Sequence, residues 1–372
     1  MIREKKKIMI GIGLVLVLII MNPKIMDFVQ GDKMRDKDAF TISKEIETPH
    51  SSLIQYNKLD KGIIKYLDGI LFYYNTEGQQ QWGINLGISN PLFKTSKNFA
   101  YAVEGNRRRL IKVDKDGEIM YNRILEKPLF NLEVGEEDYV IIQHLSEGNL
   151  EYVTIIDEIG NKAGEVTISE GKILNTAISE KHDRVAISTI DVNAEGIEST
   201  VLIYDLQGNL KELEKFPDEI ILSLFYGIEG QLIVVQEDRV LGIEEKKARQ
   251  WSQDINNMKI IEAESGGRIV FYEKQEKGGL IHTGARDRIR FLSYDGKWMG
   301  EAVLKETING INLSENQVVL HSPRSIYLMD TQGESVKEYS YGSDINQAFL
   351  LSSNRIAVIT KEKISFIELV ER

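Results

Sequence analysis

From Ala39 onward the chain is filled with short blocks in which apolar and polar residues alternate, or in which β-branched residues run together. FAYAVEG from Phe99, DYVIIQHL from Asp138 and QVVLHS from Gln317 are examples. A period of two over this length, bounded by Gly, Asn and Asp, predicts strands. The blocks group in fours. One unit reads PLFKTS, FAYAVEG, RLIKVDKDG and EIMYNRIL from Pro91 to Leu125, and the next runs KPLFNLEV, DYVIIQHL, EYVTIIDEIG and NKAGEVTI. The strands of a unit are labelled A to D, with A innermost.

Between strands C and D each unit carries the same punctuation: Asp or Asn, two residues, Gly. It reads YNTEG from Tyr74, VDKDG from Val113, IDEIG from Ile156, YDLQG from Tyr204 and MDTQG from Met329, with a shorter form, SYDG, from Ser293. The register also places a unit at IEEKKA from Ile243, where Lys247 stands in for the closing glycine. An Asp at the first turn position accepts backbone hydrogen bonds, and a Gly at the fourth takes positive φ without strain. A repeat of about 40 residues with four strands is the signature of a β-propeller blade.

The end of the chain supplies QAFLLSS, RIAVITK and KISFIELV, strands A to C of a last unit, and no D strand. AFTISKEI from Ala39 has the pattern to provide it and close the ring, which would remove the open edges. SLIQYNKL, GIIKYL, ILFYYN and QQWGINL then form the first blade. The expectation is an all-β, eight-bladed propeller, with seven blades as the alternative if the segment before Gly62 is irregular.

Ahead of this domain, Lys5, Lys6 and Lys7 precede an uncharged run, IMIGIGLVLVLIIM, from Ile8 to Met21. Its length as a helix, about 21 Å, is that of a signal-peptide core and short of a hydrocarbon thickness of about 30 Å. Small residues for cleavage are missing after Met21, while Lys24, Ile25, Met26, Phe28 and Val29 extend an interfacial surface. A retained signal anchor is the favoured reading and a cleaved peptide the alternative. The layout expected is a basic tail at 1–7 inside the cell, a transmembrane helix at 8–26, a charged linker at 27–38 and a propeller at 39–372 outside the cell membrane.

Composition narrows the partners. The 372 residues carry a net charge of −11, and −14 without the basic tail, which argues against nucleic acid. With no cysteine, disulfides, thiolate metal sites and a lipoprotein anchor are excluded.

Catalytic and metal chemistry find little support. His50, His144, His182, His282 and His321 show no metal-binding spacing. Asp114 and Asp116 before Gly117 resemble half a calcium loop without its distal ligands. Glu136, Glu137 and Asp138 read as an exposed acidic turn, and no nucleophile elbow, phosphate loop or dinucleotide fingerprint occurs. No catalytic residue, cofactor or metal is expected. The partner-binding candidates are Arg107, Arg108 and Arg109 in one B–C loop, and Arg286, Arg288 and Arg290 beside another. Guanidinium groups so clustered in an acidic domain could grip an anionic partner. B–C connections also read as long at DVNAEGIEST from Asp191 and EKQEKGGLIHTGARD from Glu273, which places function on the face shared by B–C and D–A loops.

Trp82, four residues beyond the glycine of YNTEG, resembles the tryptophan-docking position of quinoprotein-type (PQQ-like) propellers, in which a D-strand Trp packs between blades. Trp251 and Tyr121 share that register, and Trp298 is displaced from it. The layout also resembles uncharacterised membrane-anchored propellers of Clostridium-like bacteria. These resemblances imply an eight-bladed fold. They imply no PQQ, because the catalytic carboxylates and calcium ligands of quinoprotein dehydrogenases have no counterpart here. The functional expectation is a non-enzymatic binding or scaffolding module for an envelope or membrane protein. The alternatives are a module for cell-wall glycan or anionic wall polymer and, third, a polysaccharide lyase or hydrolase at the central channel.

Overall fold

The computed structural model describes residues 39–49, 54–104, 108–135, 137–194, 196–227, 229–244, 247–255, 258–264, 268–273, 287–314, 317–330, 332–333 and 336–370. Among them the backbone forms eight four-stranded antiparallel sheets, seven of which are built from consecutive strands. The eighth joins Ile345–Ser352, Arg355–Thr360 and Lys363–Leu369 to Phe40–Glu47 from the opposite end of the domain. The ring therefore has eight blades. A strands of successive blades approach one another and form the inner wall.

Ring closure is held at several levels. Phe40 pairs with Leu369 and Glu47 with Lys363, and the Val370 amide donates to the Ala39 carbonyl at 3.0 Å. The Lys363 ammonium lies 2.6 Å from the Glu45 carboxylate. The Tyr341 hydroxyl of blade 7 donates to Ser365 Oγ at 2.7 Å, and that hydroxyl donates to Glu45 at 3.0 Å. Two edges that would each be open are thus paired.

The punctuation folds as its chemistry requires. Asp114 Oδ1 accepts the amides of Asp116 and Glu118 at 2.9 and 2.8 Å, while the Gly117 amide donates to the Asp114 carbonyl at 3.2 Å. Gly117 sits at φ +90°, open to glycine at little cost. Asn75, Asp157 and Asp205 hold their turns in the same way. At SYDG, Ser293 Oγ takes the place of the carboxylate and accepts the Lys297 amide at 3.2 Å. The shorter motif is therefore the same turn with a hydroxyl acceptor. Where the glycine is lost, Glu244 pairs directly with Lys247.

Each blade buries its core against the next. A recurring contact sits on the turn glycine: Trp82 of blade 1 lies on Gly117, Tyr121 of blade 2 on Gly160, and Trp251 of blade 5 on Gly296. The indole N–H groups of Trp82 and Trp251 donate to the carbonyls of Lys115 and Tyr294 at 2.9 and 3.1 Å. In blades 3 and 6 the docking position holds Gly164 and Gly300, and their backbones press against the turns of Gln207 and Gln332. Phe366 and Lys44 of blade 8 cover Gly78. Trp298, displaced by two residues, instead lies edge-on to Phe271 at 5.8 Å within its own blade.

One expectation changes. DVNAEGIEST is not a long loop: strands Arg184–Asn193 and Gly196–Tyr204 continue through it, with Asp191 opposite Glu198 and Asn193 opposite Gly196. Cross-strand pairing overrides the turn preference of its Asp, Asn and Gly, and a β-hairpin projects from the loop face with Val192 70% exposed. The proposed transmembrane helix at 8–26, the tail and the linker lie outside the described residues. Among the described residues no helix is long and apolar enough to cross a membrane.

Candidate functional site

Strand A of each blade starts on the face that carries the D–A and B–C connections. In blades 3, 4, 5, 6 and 8 the A–B pairing slips by one residue at that start, at Phe130, Leu174, Leu222, Ile261 and Asn346. A bulge leaves the extra residue unpaired and redirects its side chain. In three consecutive blades that side chain is a large hydrophobe in water: Phe130 is 63% exposed, Leu174 40% and Leu222 51%. The preceding residues, Leu129, Ile173 and Ile221, are buried.

Hydrogen bonds fix these bulges. Ser188 Oγ accepts the Asn175 amide at 3.1 Å, which satisfies a donor that the slipped register would strand. The Asn175 side-chain amide also donates to the Ile221 carbonyl at 3.1 Å, tying the Leu174 bulge to the Leu222 bulge of the next blade. The three side chains thus form an arc of equivalent positions at the loop-face ends of three successive A strands. Nearby charges are paired: Lys127 lies 3.0 Å from Glu147 and 3.4 Å over the Tyr152 ring, and Lys172 lies 2.6 Å from the buried Glu151.

The candidate arginines fall in blades 2 and 6, on opposite sides of the eight-membered ring, so the fold does not bring the two groups together. Arg107 and Arg286 lie outside the described residues. Arg108 Nη1 donates to the Glu126 carbonyl at 2.6 Å. Arg109 Nε donates to Asn122 Oδ1 at 2.9 Å and Nη1 to the Leu86 carbonyl of blade 1 at 3.0 Å. Arg288 lies 3.7 Å from Glu273 and 3.9 Å from Glu301, while Arg290 lies 3.7 Å from Glu301 and 3.8 Å over the Trp298 ring. Each described guanidinium is engaged within the protein.

The other titratable candidates serve the fold. His144 and His321 are 3% exposed at the ends of B strands, and burial pushes both imidazoles below their ordinary pKa. His144 Nε2 is 2.8 Å from Thr154 Oγ1. Asp138 accepts hydrogen bonds from Ser96 and Tyr101 of the preceding blade, so this part of the acidic turn joins two blades. Glu136, His50 and His282 lie outside the described residues. Among the described residues no group of three or more His, Asp or Glu is arranged to hold a metal ion.

Sequence reasoning missed the apolar arc. Its signal is an apolar pair followed by Asn or Ser at a strand start: Leu129-Phe130-Asn131, Ile173-Leu174-Asn175 and Ile221-Leu222-Ser223. Two successive apolar residues break the alternation by one position, as a bulge requires.

Residues 33–369 match the model of a family of unknown function, DUF5711. The chain belongs to that family. No curated protein matches it. Among solved structures, BamB from Moraxella catarrhalis is similar with a TM-score of 0.54 at 12% identity, over 89% of this chain and 100% of that one. The WD40 domain of SCAP from fission yeast is similar with a TM-score of 0.51 at 9% identity, over 90% of this chain and 98% of that one. At these identities the likeness is one of fold. It agrees with a β-propeller.

Proposed function

We infer that this chain is a non-enzymatic, membrane-anchored scaffold whose propeller stands outside the cell and docks a protein partner of the envelope or membrane on its loop face. The observation that carries this reading is the arc of Phe130, Leu174 and Leu222, exposed at equivalent bulges of three successive blades. Large hydrophobes exposed at the same place in three successive blades, and held there by strand pairing, suit an interaction surface. The arginines support a protein partner over an anionic wall polymer, since Arg288 and Arg290 are already matched by Glu273 and Glu301. The three lysines ahead of the apolar run from Ile8 supply the topology.

Photo-crosslinking in intact cells tests the docking face. Adducts from a probe at Phe130 or Leu222, with none from a probe at Ile159 on a C–D turn, support the reading; the reverse pattern overturns it. Protease added to spheroplasts should remove the propeller and leave an anchored stub, and a domain protected until lysis overturns the topology.

A further inference from the structure

The face opposite the loops holds a cavity at the junction of blades 4 and 5. It measures about 300 Å³, the lower end of small-molecule pockets. Its position follows from the repeat. At five other junctions a docking residue makes the seal: Trp82, Tyr121 and Trp251 cover the next turn's glycine, and Gly164 and Gly300 let the backbones touch. At this junction the docking position holds Glu212, opposite Ile203, and the facing turn has lost its glycine, with Glu244 pairing directly to Lys247. Both halves of the seal are missing at once. Ile203, Glu212, Tyr226, Gln231, Ile243 and Glu244 line the space left between the blades.

The lining is chemically specific. The Tyr226 hydroxyl and the Gln231 side-chain oxygen are buried with no hydrogen-bond partner. Two such atoms lining a cavity are costly unless a bound water or ligand pairs with them, and a ligand with a donor and an acceptor can replace water at both. Ile203, Leu232 and Ile243 give an apolar strip. His182, seated on Gly230, and Arg184, whose Nη1 also donates to the Asp183 carbonyl at 3.0 Å, line it too, and Glu212, Glu229 and Glu244 contribute carboxylates. Burial raises the Tyr226 phenol above its ordinary pKa, so it stays protonated and can donate.

We propose that this cavity binds a small zwitterion of the free amino-acid class. Its ammonium would be held by Glu212 and the Gln231 oxygen, its carboxylate by Arg184 and the Tyr226 hydroxyl, and its apolar side chain by Ile203, Leu232 and Ile243. Carboxylates outnumber the guanidinium in the lining, which makes the ammonium the stronger determinant. The site lies on the turn face, away from the loop-face arc, and does not depend on it.

Calorimetry on the full chain in detergent, with L-leucine, N-acetyl-L-leucine and isoamylamine as probes, tests the proposal. Leucine should bind and raise the melting temperature. N-acetyl-leucine, which lacks the ammonium, should not bind, and isoamylamine, which lacks the carboxylate, should bind at least about tenfold more weakly than leucine. Glu212→Trp restores the aromatic found at Trp82 and Trp251; it should keep or raise the melting temperature and abolish binding. Should that variant fail to fold, Tyr226→Phe, which removes one hydroxyl, should weaken leucine about tenfold. Absence of leucine binding, equal binding of N-acetyl-leucine, or a folded Glu212→Trp or Tyr226→Phe variant that binds leucine as the parent does would each overturn the proposal.

Discussion

The indole of Trp82 rests on Gly117 of the next blade, so that a methyl group added at Gly117 would come 3.0 Å from the ring, and the indole N–H donates to the Lys115 carbonyl of the same turn. The glycine has two separate reasons to be a glycine. Its φ of +90° disfavours any side chain, and its open face is the seat of the ring. Gly117→Ala should therefore destabilise the domain by about 2 kcal/mol or more. Gly148, also at positive φ but with open space around it, separates the two causes. Thermal unfolding of Gly148→Ala should show the smaller loss; equal losses would mean that the indole contact contributes nothing.

The closing strand makes a second prediction. Phe40–Glu47 covers the whole of Lys363–Leu369, and Phe40 stacks on Tyr341 of blade 7 with ring centroids 6.0 Å apart. Deleting residues 39–47 should open the last blade and cause aggregation or loss of cooperative unfolding. Light scattering and calorimetry read this directly. A truncated chain that stays monomeric and melts like the parent would show that closure contributes nothing to the domain.

What could be read in advance follows from how local the chemistry is. The Asp-x-x-Gly turns were legible because Asp114 and Gly117 satisfy each other's backbone within five residues. Ring closure was legible because a blade short of one strand leaves an edge that must pair. The hairpin at Asp191 was not, since Val192 faces Ile197 only once the strands are aligned, and its residues favour turns in isolation. The cavity was half-legible: Lys247 at a glycine position marks a broken repeat, but the consequence depends on Glu212 across the junction. The arginines showed their clustering but not their partners. Glu301, which meets both Arg288 and Arg290, stands on the neighbouring strand, where pairing register alone decides the contact.

Acid should weaken the fold through two histidines. Burial holds His144 and His321 below the ordinary value of 6.5, whereas in the unfolded chain each binds a proton near that value. The unfolded state then binds more protons, so stability is complete above about pH 6.5 and falls as pH drops through it toward the folded values. The carboxylates with lowered values, such as Glu45 and Glu77, add their loss only below about 4.5. Denaturant midpoints between pH 7 and about 5 should therefore decline, and His144→Gln with His321→Gln should flatten that slope. An unchanged slope in the double variant would assign it to other groups.

The last prediction separates two features of the loop face. Phe130, Leu174 and Leu222 are exposed and uncharged, and nothing in the fold requires a large side chain at a solvent-facing bulge. Replacing all three by Asp should alter stability by about 1 kcal/mol or less, because little apolar area is lost from the interior. It should nevertheless cut affinity for the docked partner by about thirtyfold or more, the usual effect of losing a desolvated anchor. Arg288 and Arg290 give the contrast: they already face Glu273 and Glu301, so replacing them by Gln removes surface ion pairs contributing about 1 kcal/mol or less each. Partner binding should change little in that variant. If the arginine variant loses the crosslinked partner while the triple-Asp variant keeps it, recognition is electrostatic, and the arc is not the docking surface.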